Sequence, residues 1–396
     1  MSRRLKYLSL LVALIAINNI IAFSINLGAL YYAIMGMVFF IALCQNSRIS
    51  INIGVASLII AAILSIVGND IPVYFHPWAR LATFVLMTVL LSPLIQSSFL
   101  NRLRIRVFQY VQWGMEPIVI LSLLAYFAGL TFGRRDFAGI TTQSMLIAPI
   151  SANVIITSTY FLTNNSLLTR KKKYYHLLLM ISAFITLLLA ASRTAIIGAA
   201  AGLLVYFYIM NRANLFKFLK KTLYLVLLLC VTFPLWSSYV ENLNRKNKSS
   251  IAEGSILSSR EIHWQTRIRE FTSSPLLGIG FASVSTGLDE GSTMDIESGQ
   301  VETGSSWLSL LSMTGILGFM AFLLIFLNSF ISLFRMGRIN IRFASYLSAL
   351  MIFWAFHMMA EGYIHGAGGF LFFNLWLLIG SISAFTQNKV LTLEPY

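Results

Sequence analysis

Three arginines stand close together in one segment, at positions 260, 267 and 269, with His263 and Trp264 among them. Guanidinium groups bind phosphate oxygens through paired hydrogen bonds, and an indole ring offers a flat apolar face. The segment therefore predicts an anion site beside an aromatic platform, suited to a diphosphate or to a sugar. A basic amphipathic helix resting on anionic lipid headgroups has the same composition, and spacing alone does not separate the two interpretations.

Two further arginines border apolar sequence. Arg193 lies between two apolar windows, in Ser192-Arg193-Thr194, and Arg80 lies just inside another window. A guanidinium this close to hydrocarbon is expensive unless it is paired, reaches water or binds an anion. For Arg193, ligand binding and snorkelling into the headgroups fit the spacing equally well. For Arg80, snorkelling is the favoured interpretation from spacing alone.

Carboxylates near these arginines are few, and removing a proton from a sugar hydroxyl needs a carboxylate or a histidine. Glu302 and Glu361 are the candidate bases, and the weaker candidates are His263, His357 and His365. Apolar sequence flanks Glu361 on both sides, which favours a structural role in which it pairs with an arginine such as Arg193 or Arg260. The acidic pair Asp295-Ile296-Glu297 is interpreted as a solvated loop rather than a metal site.

The elements that must carry these residues are membrane helices. The 396 residues are 57% hydrophobic and only 11% charged, with a mean hydropathy of +0.77, values that exclude an ordinary soluble domain. We predict an all-α polytopic membrane protein, a single integral membrane domain over residues 1–396 with about 12 spans. The predicted spans are residues 5–24, 27–44, 51–68, 77–96, 109–130, 141–162, 175–191, 194–210, 222–240, 306–327, 343–361 and 367–385.

The net charge of +15 follows topology rather than nucleic-acid binding. Many basic residues fall in alternate short connections, among them Arg102, Arg104 and Arg106 and the run Arg170–Lys173. The positive-inside rule predicts that these connections and both termini are cytoplasmic. The long segment 242–305, between the ninth and tenth spans, is then periplasmic. Within it, residues Ser258–Ser273 are predicted to form an interfacial helix that begins at Ser258 or Ser259 and ends at Ser274-Pro275.

At these same residues the chain resembles the O-antigen ligase and Wzy-type polymerase superfamily of bacterial surface-polysaccharide assembly. The resemblance covers mainly the second half of the sequence. It rests on Ser192-Arg193-Thr194-Ala195, Ser259-Arg260 with Trp264, Ser274-Pro275-Leu276-Leu277-Gly278-Ile279-Gly280-Phe281, Ser305-Ser306-Trp307-Leu308, Thr314-Gly315-Ile316-Leu317-Gly318 and Glu361-Gly362-Tyr363.

The resemblance implies a metal-independent glycosyltransferase without a cofactor, in the bacterial inner membrane, acting on oligosaccharide linked to undecaprenyl diphosphate. Arg193 and Arg260 would hold the diphosphate, and Arg80 or Arg267 would assist. Trp264 would form one wall of the sugar site. Besides the lipid-linked substrate and membrane lipids, a chain-length regulator would be a partner. Nucleic acid would not.

Three functions fit the resemblance or the composition. Ligases that transfer finished glycan to lipid A core carry a histidine where this chain has Gly304, followed by Ser305. The missing histidine separates this chain from such ligases. The features Ser305-Ser306-Trp307 and Glu361-Gly362-Tyr363 look more like those of repeat-unit polymerases, which favours a polymerase over the ligase. A flippase for lipid-linked oligosaccharide is the alternative without bond-making chemistry, but the sequence shows no two similar halves, and its outward charges gather at one face.

Overall fold

The computed structural model describes residues 3–45, 49–130, 132, 137–164, 168–214, 216–220, 222–223, 233–234, 258–285, 294–295, 300–301 and 303–388. Its main helices are α1 (Arg3–Asn18), α2 (Ala29–Cys44), α3 (Ile53–Val67), α4 (Pro77–Leu91), α5 (Ser98–Phe127), α6 (Ser144–Thr163), α7 (Arg170–Leu189), α8 (Arg193–Met210), α9 (Ser258–Ser273), α10 (Ser306–Gly337), α11 (Ile341–His357) and α12 (Phe370–Asn388). A short 3₁₀ helix, Val73–Phe75, precedes α4.

Within the described ranges, strands are confined to two antiparallel pairs of two residues each. The strand β1 (Ser50–Ile51) pairs with β2 (Ile95–Gln96), and β3 (Met294–Asp295) pairs with β4 (Gln300–Val301). Asp295, expected in a loop, therefore lies in a short strand, while Glu297 lies outside the described residues. The prediction of an all-α polytopic membrane protein is confirmed.

Eleven of the 12 predicted spans contain a described helix, and the span 222–240 lies almost wholly outside the described residues. By length and composition, seven helical segments among the described residues are able to cross a membrane, namely Val73–Leu91, α5, α6, α7, α8, α10 and α12. The apolar helices α2, α3 and α11 are shorter. A total of 12 crossings stays a prediction.

Two of the predicted basic connections are instead parts of helices, and the run Arg170–Lys173 is the first turn of α7. The residues from Arg102 to Arg106 lie inside α5, and the Arg104 side chain is fully buried. Its guanidinium donates hydrogen bonds to the carbonyl oxygens of Leu90, Val89 and Ile95 at 2.8 to 2.9 Å. These carbonyls lie at the end of α4 and just beyond it, where a helix leaves acceptors unsatisfied. Arg104 thus caps the end of α4 from within α5, and the prediction that it lies in a connecting loop is wrong.

The helix α10 is interrupted near its middle. Gly315 has φ of +63°, and the segment after α9 fills the break. The N–H of Ile316 donates to the Pro275 carbonyl, and the N–H of Ile279 donates to the Ser312 carbonyl, both at 2.8 Å. Ser65 of α3 donates to the Met313 carbonyl at 2.6 Å. Protein groups therefore satisfy the polar backbone that the break exposes, as a membrane-embedded chain requires.

Helices α8 and α11 pack closely and antiparallel. A Cβ on Gly198 would lie 3.1 Å from the Phe353 carbonyl oxygen, and one on Gly202 would lie 2.7 Å from that of Ala349. Small residues let two helix backbones approach in this way. The pairing places the start of α8 beside the end of α11, at the same end of the bundle as α9. We call this the α9 end.

Candidate active site

Helix α9 carries four of the predicted site residues. It begins and ends where the sequence predicts, at Ser258 and Ser273. Its packed face, which lies against α10, contains Thr266, Arg267 and Glu270, all almost fully buried. Arg260, His263 and Trp264 are half-buried on the preceding turns. The helix therefore presents one arginine at the surface of the site and hides another beneath it.

Arg260 forms an ion pair with Glu361. Its Nη2 donates to Oε1 of Glu361 at 2.8 Å, and the side chains are 23% and 10% exposed. The pair confirms the expectation that Glu361, flanked by apolar sequence, pairs with an arginine. It joins α9 to the loop after α11, two elements that are 101 residues apart in sequence. A partly desolvated pair of this kind holds the guanidinium in one orientation more firmly than a pair in water would.

The start of α10 fixes the backbone of Glu361. The Ser306 hydroxyl donates to the Glu361 carbonyl at 2.7 Å and accepts from the Tyr363 N–H at 3.0 Å. The Ser306 N–H also reaches the Glu361 carbonyl, at 3.0 Å. Burial, together with the nearby Glu361 carboxylate, raises the pKa of the Tyr363 phenol well above its usual range, so this group stays protonated. The phenol lies 3.2 Å from Nδ1 of His357.

Two glycines permit close contacts around this loop. A Cβ on Gly362 would lie 1.4 Å from the Thr303 hydroxyl oxygen, and one on Gly304 would lie 2.6 Å from the Cβ of His263. Gly304 also has φ of +66°. His263 therefore lies against the position at which the ligases of the resembling family carry a histidine. Glu302, two residues earlier, lies outside the described residues.

Arg267 forms a buried ion pair with Glu270 on the packed face of α9. Its Nη1 lies 2.8 Å from Oε2 of Glu270, and neither side chain is exposed. The other carboxylate oxygen of Glu270 accepts from the Ser285 N–H at 2.8 Å. This pair ties the packed face of α9 to the segment that follows it. Arg267 and Glu270 are three residues apart in the sequence. In a helix this spacing brings two side chains together, so it is the signal from which the ion pair could have been predicted.

Arg193 lies at the same end of the bundle as the Arg260–Glu361 pair. It is the first residue of α8, capped by Ser192, whose hydroxyl accepts from the Ala195 N–H at 3.4 Å. In the antiparallel register of Gly198 with Phe353, Arg193 comes level with Met358, three residues before Glu361. The half-buried Arg193 side chain therefore starts from the level of the loop that carries Glu361.

Arg80 lies against another part of the α9 end. Its Nη1 donates to the Ala282 carbonyl at 3.2 Å, and Ala282 has φ of +62°. The ring of Phe281, in the same segment, meets the ring of His365 edge-on at 5.3 Å between centroids. Burial lowers the pKa of His365 to about 3, so its imidazole is neutral at physiological pH. Arg80 thus contacts the segment after α9, whereas Arg260 contacts the loop after α11.

An apolar pocket of about 470 Å³ opens between α9, α10 and α11. Its walls are formed by Trp264, Ser305, Trp307, Leu308, Ala355, Phe356 and Met359. Trp307 is held in place by its indole N–H, which donates to the Ala355 carbonyl at 3.1 Å. Trp264 lies four residues after Arg260 on α9, so the pocket begins about one helical turn from the Arg260–Glu361 pair.

The structure thus brings together Arg260, Glu361, His263 and Trp264, with Arg193 at the same level. Sequence reasoning did not assign a role to Ser306, Thr303 or Leu308, although Ser305-Ser306-Trp307-Leu308 was noted as a motif. Its residues cap α10, hold the Glu361 loop and line the pocket, and only the fold shows these roles. Among the described residues, no group of three or more His, Cys, Asp or Glu side chains is placed to hold a metal. Metal independence stays a prediction.

Comparison with known proteins identifies one segment. Residues 177–323 match the family model described as O-antigen ligase. The matched segment contains Arg193, the whole of α9 and the broken part of α10, and it does not include Arg80 or Glu361. A search of curated proteins finds no match. The resemblance to the O-antigen ligase superfamily is confirmed over the matched residues.

Proposed function

We propose that this chain, which matches the O-antigen ligase family over residues 177–323, polymerises oligosaccharide repeat units linked to undecaprenyl diphosphate. The product would be O-antigen, capsule or exopolysaccharide, made at the outer face of the inner membrane. The observation that carries the proposal is the Arg260–Glu361 pair, a fixed guanidinium at the α9 end of a membrane bundle. A fixed positive charge is what a diphosphate leaving group needs.

The reaction is a single displacement that inverts the donor's anomeric centre. A hydroxyl oxygen of the acceptor sugar forms a bond to the anomeric carbon, while the bond from that carbon to the diphosphate oxygen breaks. The electron pair of the broken bond goes to the diphosphate, and the hydroxyl proton goes to a base. Arg260, assisted by Arg193, stabilises the negative charge that grows on the leaving oxygen. The products are the lengthened glycan and free undecaprenyl diphosphate.

The acceptor's proton has three candidate destinations. Glu361 has one oxygen committed to Arg260 at 2.8 Å, which supports a positioning role. His263 lies on the same helix as Arg260 and against Gly304. Glu302 is two residues from Gly304 in sequence. Of the three, His263 and Glu302 are the bases we propose to compare first, because the Glu361 carboxylate is already paired with Arg260.

Polymerisation is favoured over ligation by the residue at position 304. Glycine at this position has φ of +66°, and a Cβ would approach His263 to 2.6 Å, so the local fold accommodates no larger side chain. The ligase histidine therefore has no counterpart at this place in the chain. The ligase that transfers finished glycan to lipid A core remains the alternative within the same family.

The orientation in the membrane is part of the proposal. Arg342 lies at the end of the bundle opposite α9, where its Nη1 donates to Asn164 just after α6, and the basic start of α7 follows. The positive-inside rule makes that end cytoplasmic, which leaves both termini in the cytoplasm and the segment 242–305 in the periplasm. A chain-length regulator would then meet the protein from the membrane or the periplasm.

A flippase is the alternative from another class. Transporters bind their cargo near the bilayer midplane between two similar halves. The Arg260–Glu361 pair instead lies at one end of the helices, beside the starts of α8 and α10. This position supports a reaction at the membrane surface rather than transport across the membrane.

The experiment is a deletion strain whose surface polysaccharide and lipid-linked intermediates are sized in parallel. A polymerase predicts single repeat units on the surface and no longer chains. Long chains stranded on undecaprenyl diphosphate would mean a ligase, and repeat units held in the cytoplasmic leaflet would mean a flippase.

A further inference from the structure

The pocket between α9, α10 and α11 has almost no polar lining. Its walls include two tryptophans, Leu308, Phe356 and Met359, and the only side-chain oxygen among them belongs to Ser305. That hydroxyl is already engaged, because it donates to the Met358 carbonyl at 3.3 Å and accepts from the Leu308 N–H at 3.4 Å. Among the side chains of this lining, only the indole N–H of Trp264 has no hydrogen-bond partner, so a molecule that enters the pocket finds apolar contacts and a single donor.

A sugar is therefore a poor occupant. Each hydroxyl that leaves water without a new partner costs about 1–3 kcal/mol, and a sugar carries several. A hydrocarbon chain gains about 25 cal/mol for each Å² of apolar surface that it buries. The volume of about 470 Å³ lies within the range of small-molecule pockets. Phe356 and Met359 are 39% and 51% exposed, so the pocket opens to its surroundings along an apolar edge.

The positive charge of Arg260 beside the pocket indicates which kind of hydrocarbon chain the pocket binds. Arg260 and Trp264 lie one turn apart on α9, about 6 Å along the helix axis, so a ligand on both spans an anionic group and an adjoining apolar chain. The Arg260 guanidinium is held by its ion pair with Glu361, at 2.8 Å. A free lipid headgroup would satisfy the arginine, but it would not need an apolar pocket beside it. An apolar chain attached directly to a diphosphate would use both features.

We propose that this pocket binds the isoprenoid units of the donor lipid that lie next to its diphosphate. Trp264 and Trp307 form the walls, with Leu308 and Phe356 between them. The proposal rests on the proposed function and assigns the Trp264 ring to the lipid rather than to the sugar. The sugar would then extend from the diphosphate at Arg260 away from the pocket, and the acceptor must approach from that side.

The test is photolabelling of the full-length protein in lipid nanodiscs. The probe is a prenyl diphosphate that carries a diazirine on the isoprene unit nearest the diphosphate. Irradiation followed by mass spectrometry should place the label on Trp264, Leu308, Phe356 or Met359. Label found only on residues outside the pocket would overturn the proposal.

Filling the pocket provides a second, independent measurement. Leu308→Trp should lower the labelling by about tenfold, the effect of a modest loss of binding free energy. Met359→Trp should act in the same direction, and because Met359 is 51% exposed this variant is expected to fold even if the first does not. The matched control is Leu324→Trp, at an exposed leucine of α10 outside the pocket. Equal labelling of wild type, both filling variants and the control would overturn the proposal.

The two proposals fail in different ways. Label in the pocket of a protein that does not lengthen glycan chains supports the pocket and contradicts the polymerase. Normal chain growth by the Leu308→Trp protein, with label outside the pocket, contradicts the pocket and leaves the polymerase intact.

Discussion

Arg260 and Glu361 meet at 2.8 Å across two elements that are far apart in sequence, one on helix α9 and the other in the loop after α11. Four contacts hold this relationship in place. Ser306 binds the Glu361 carbonyl twice, Gly362 allows Thr303 to pack directly above it, and the N–H of Tyr363 returns to Ser306. The orientation of one guanidinium therefore depends on the start of α10 as well as on its own helix.

Glu361→Gln tests whether this carboxylate positions Arg260 or accepts the acceptor's proton. A positioning role predicts a loss of polymerisation rate of about 10- to 100-fold. The pH dependence of the remaining activity should be unchanged, because the base is still present. The measurement is the pH profile of polymer synthesis in membranes. Disappearance of the acid limb of that profile would assign the base to Glu361 instead.

Breaking the buried pair below the site should destabilise the protein. Arg267→Ala leaves the Glu270 carboxylate buried without its cation, at an expected cost of about 3–5 kcal/mol. The double variant Arg267→Met with Glu270→Leu removes both charges and should recover most of the loss. Thermal unfolding in detergent measures both. Equal destabilisation by the single and double variants would show that packing, rather than the charge, is responsible.

The break in α10 predicts a strong effect at one glycine. A Cβ on Gly315 would lie 2.2 Å from the Leu276 carbonyl oxygen, and φ is +63°. Gly315→Ala should therefore cost at least about 3 kcal/mol or prevent folding. Gly337→Ala is the control in the same helix, since its nearest neighbour would lie at 3.6 Å. Similar yields and melting temperatures for the two variants would contradict the described break.

His365 predicts a dependence of stability on pH. Burial lowers its pKa from 6.5 to about 3, so the unfolded chain binds a proton that the folded chain does not between these values. Stability should fall as pH drops from about 6.5 towards 3, and the His365 contribution should be constant above pH 6.5. His365→Phe removes this contribution. The melting temperature of the variant should therefore fall less steeply with acid than that of wild type. Parallel curves would contradict a buried neutral imidazole.

The sequence predicted those features that local chemistry determines. Helix α9 has its predicted bounds because Ser274-Pro275 cannot continue a helix. The pairing of Glu361 with an arginine followed from the cost of an isolated charge in apolar surroundings. The class of fold followed from the repeated apolar windows, although their number stays a prediction.

Other features depend on contacts between distant segments. Arg104 looks like a loop arginine in sequence, and only the exposed carbonyls at the end of α4 explain its burial. The break at Gly315 needs the segment after α9 to fill it, and no pattern within α10 predicts that partner. The apolar pocket likewise combines residues of α9, α10 and α11. In the sequence of any one of these helices, its apolar residues indicate only ordinary helix packing.

The most direct test of the central claim is the activity of Arg260→Ala. Wild type, Arg260→Ala and the control Arg338→Ala, an exposed arginine at the opposite end of α10, are expressed in the deletion strain. Their amounts in the membrane are matched, and the length of the surface glycan is measured on a gel. We predict that Arg260→Ala lowers chain synthesis by about 100- to 1,000-fold, leaving single repeat units, while Arg338→Ala makes normal chains. Chains of wild-type length from Arg260→Ala would contradict the account.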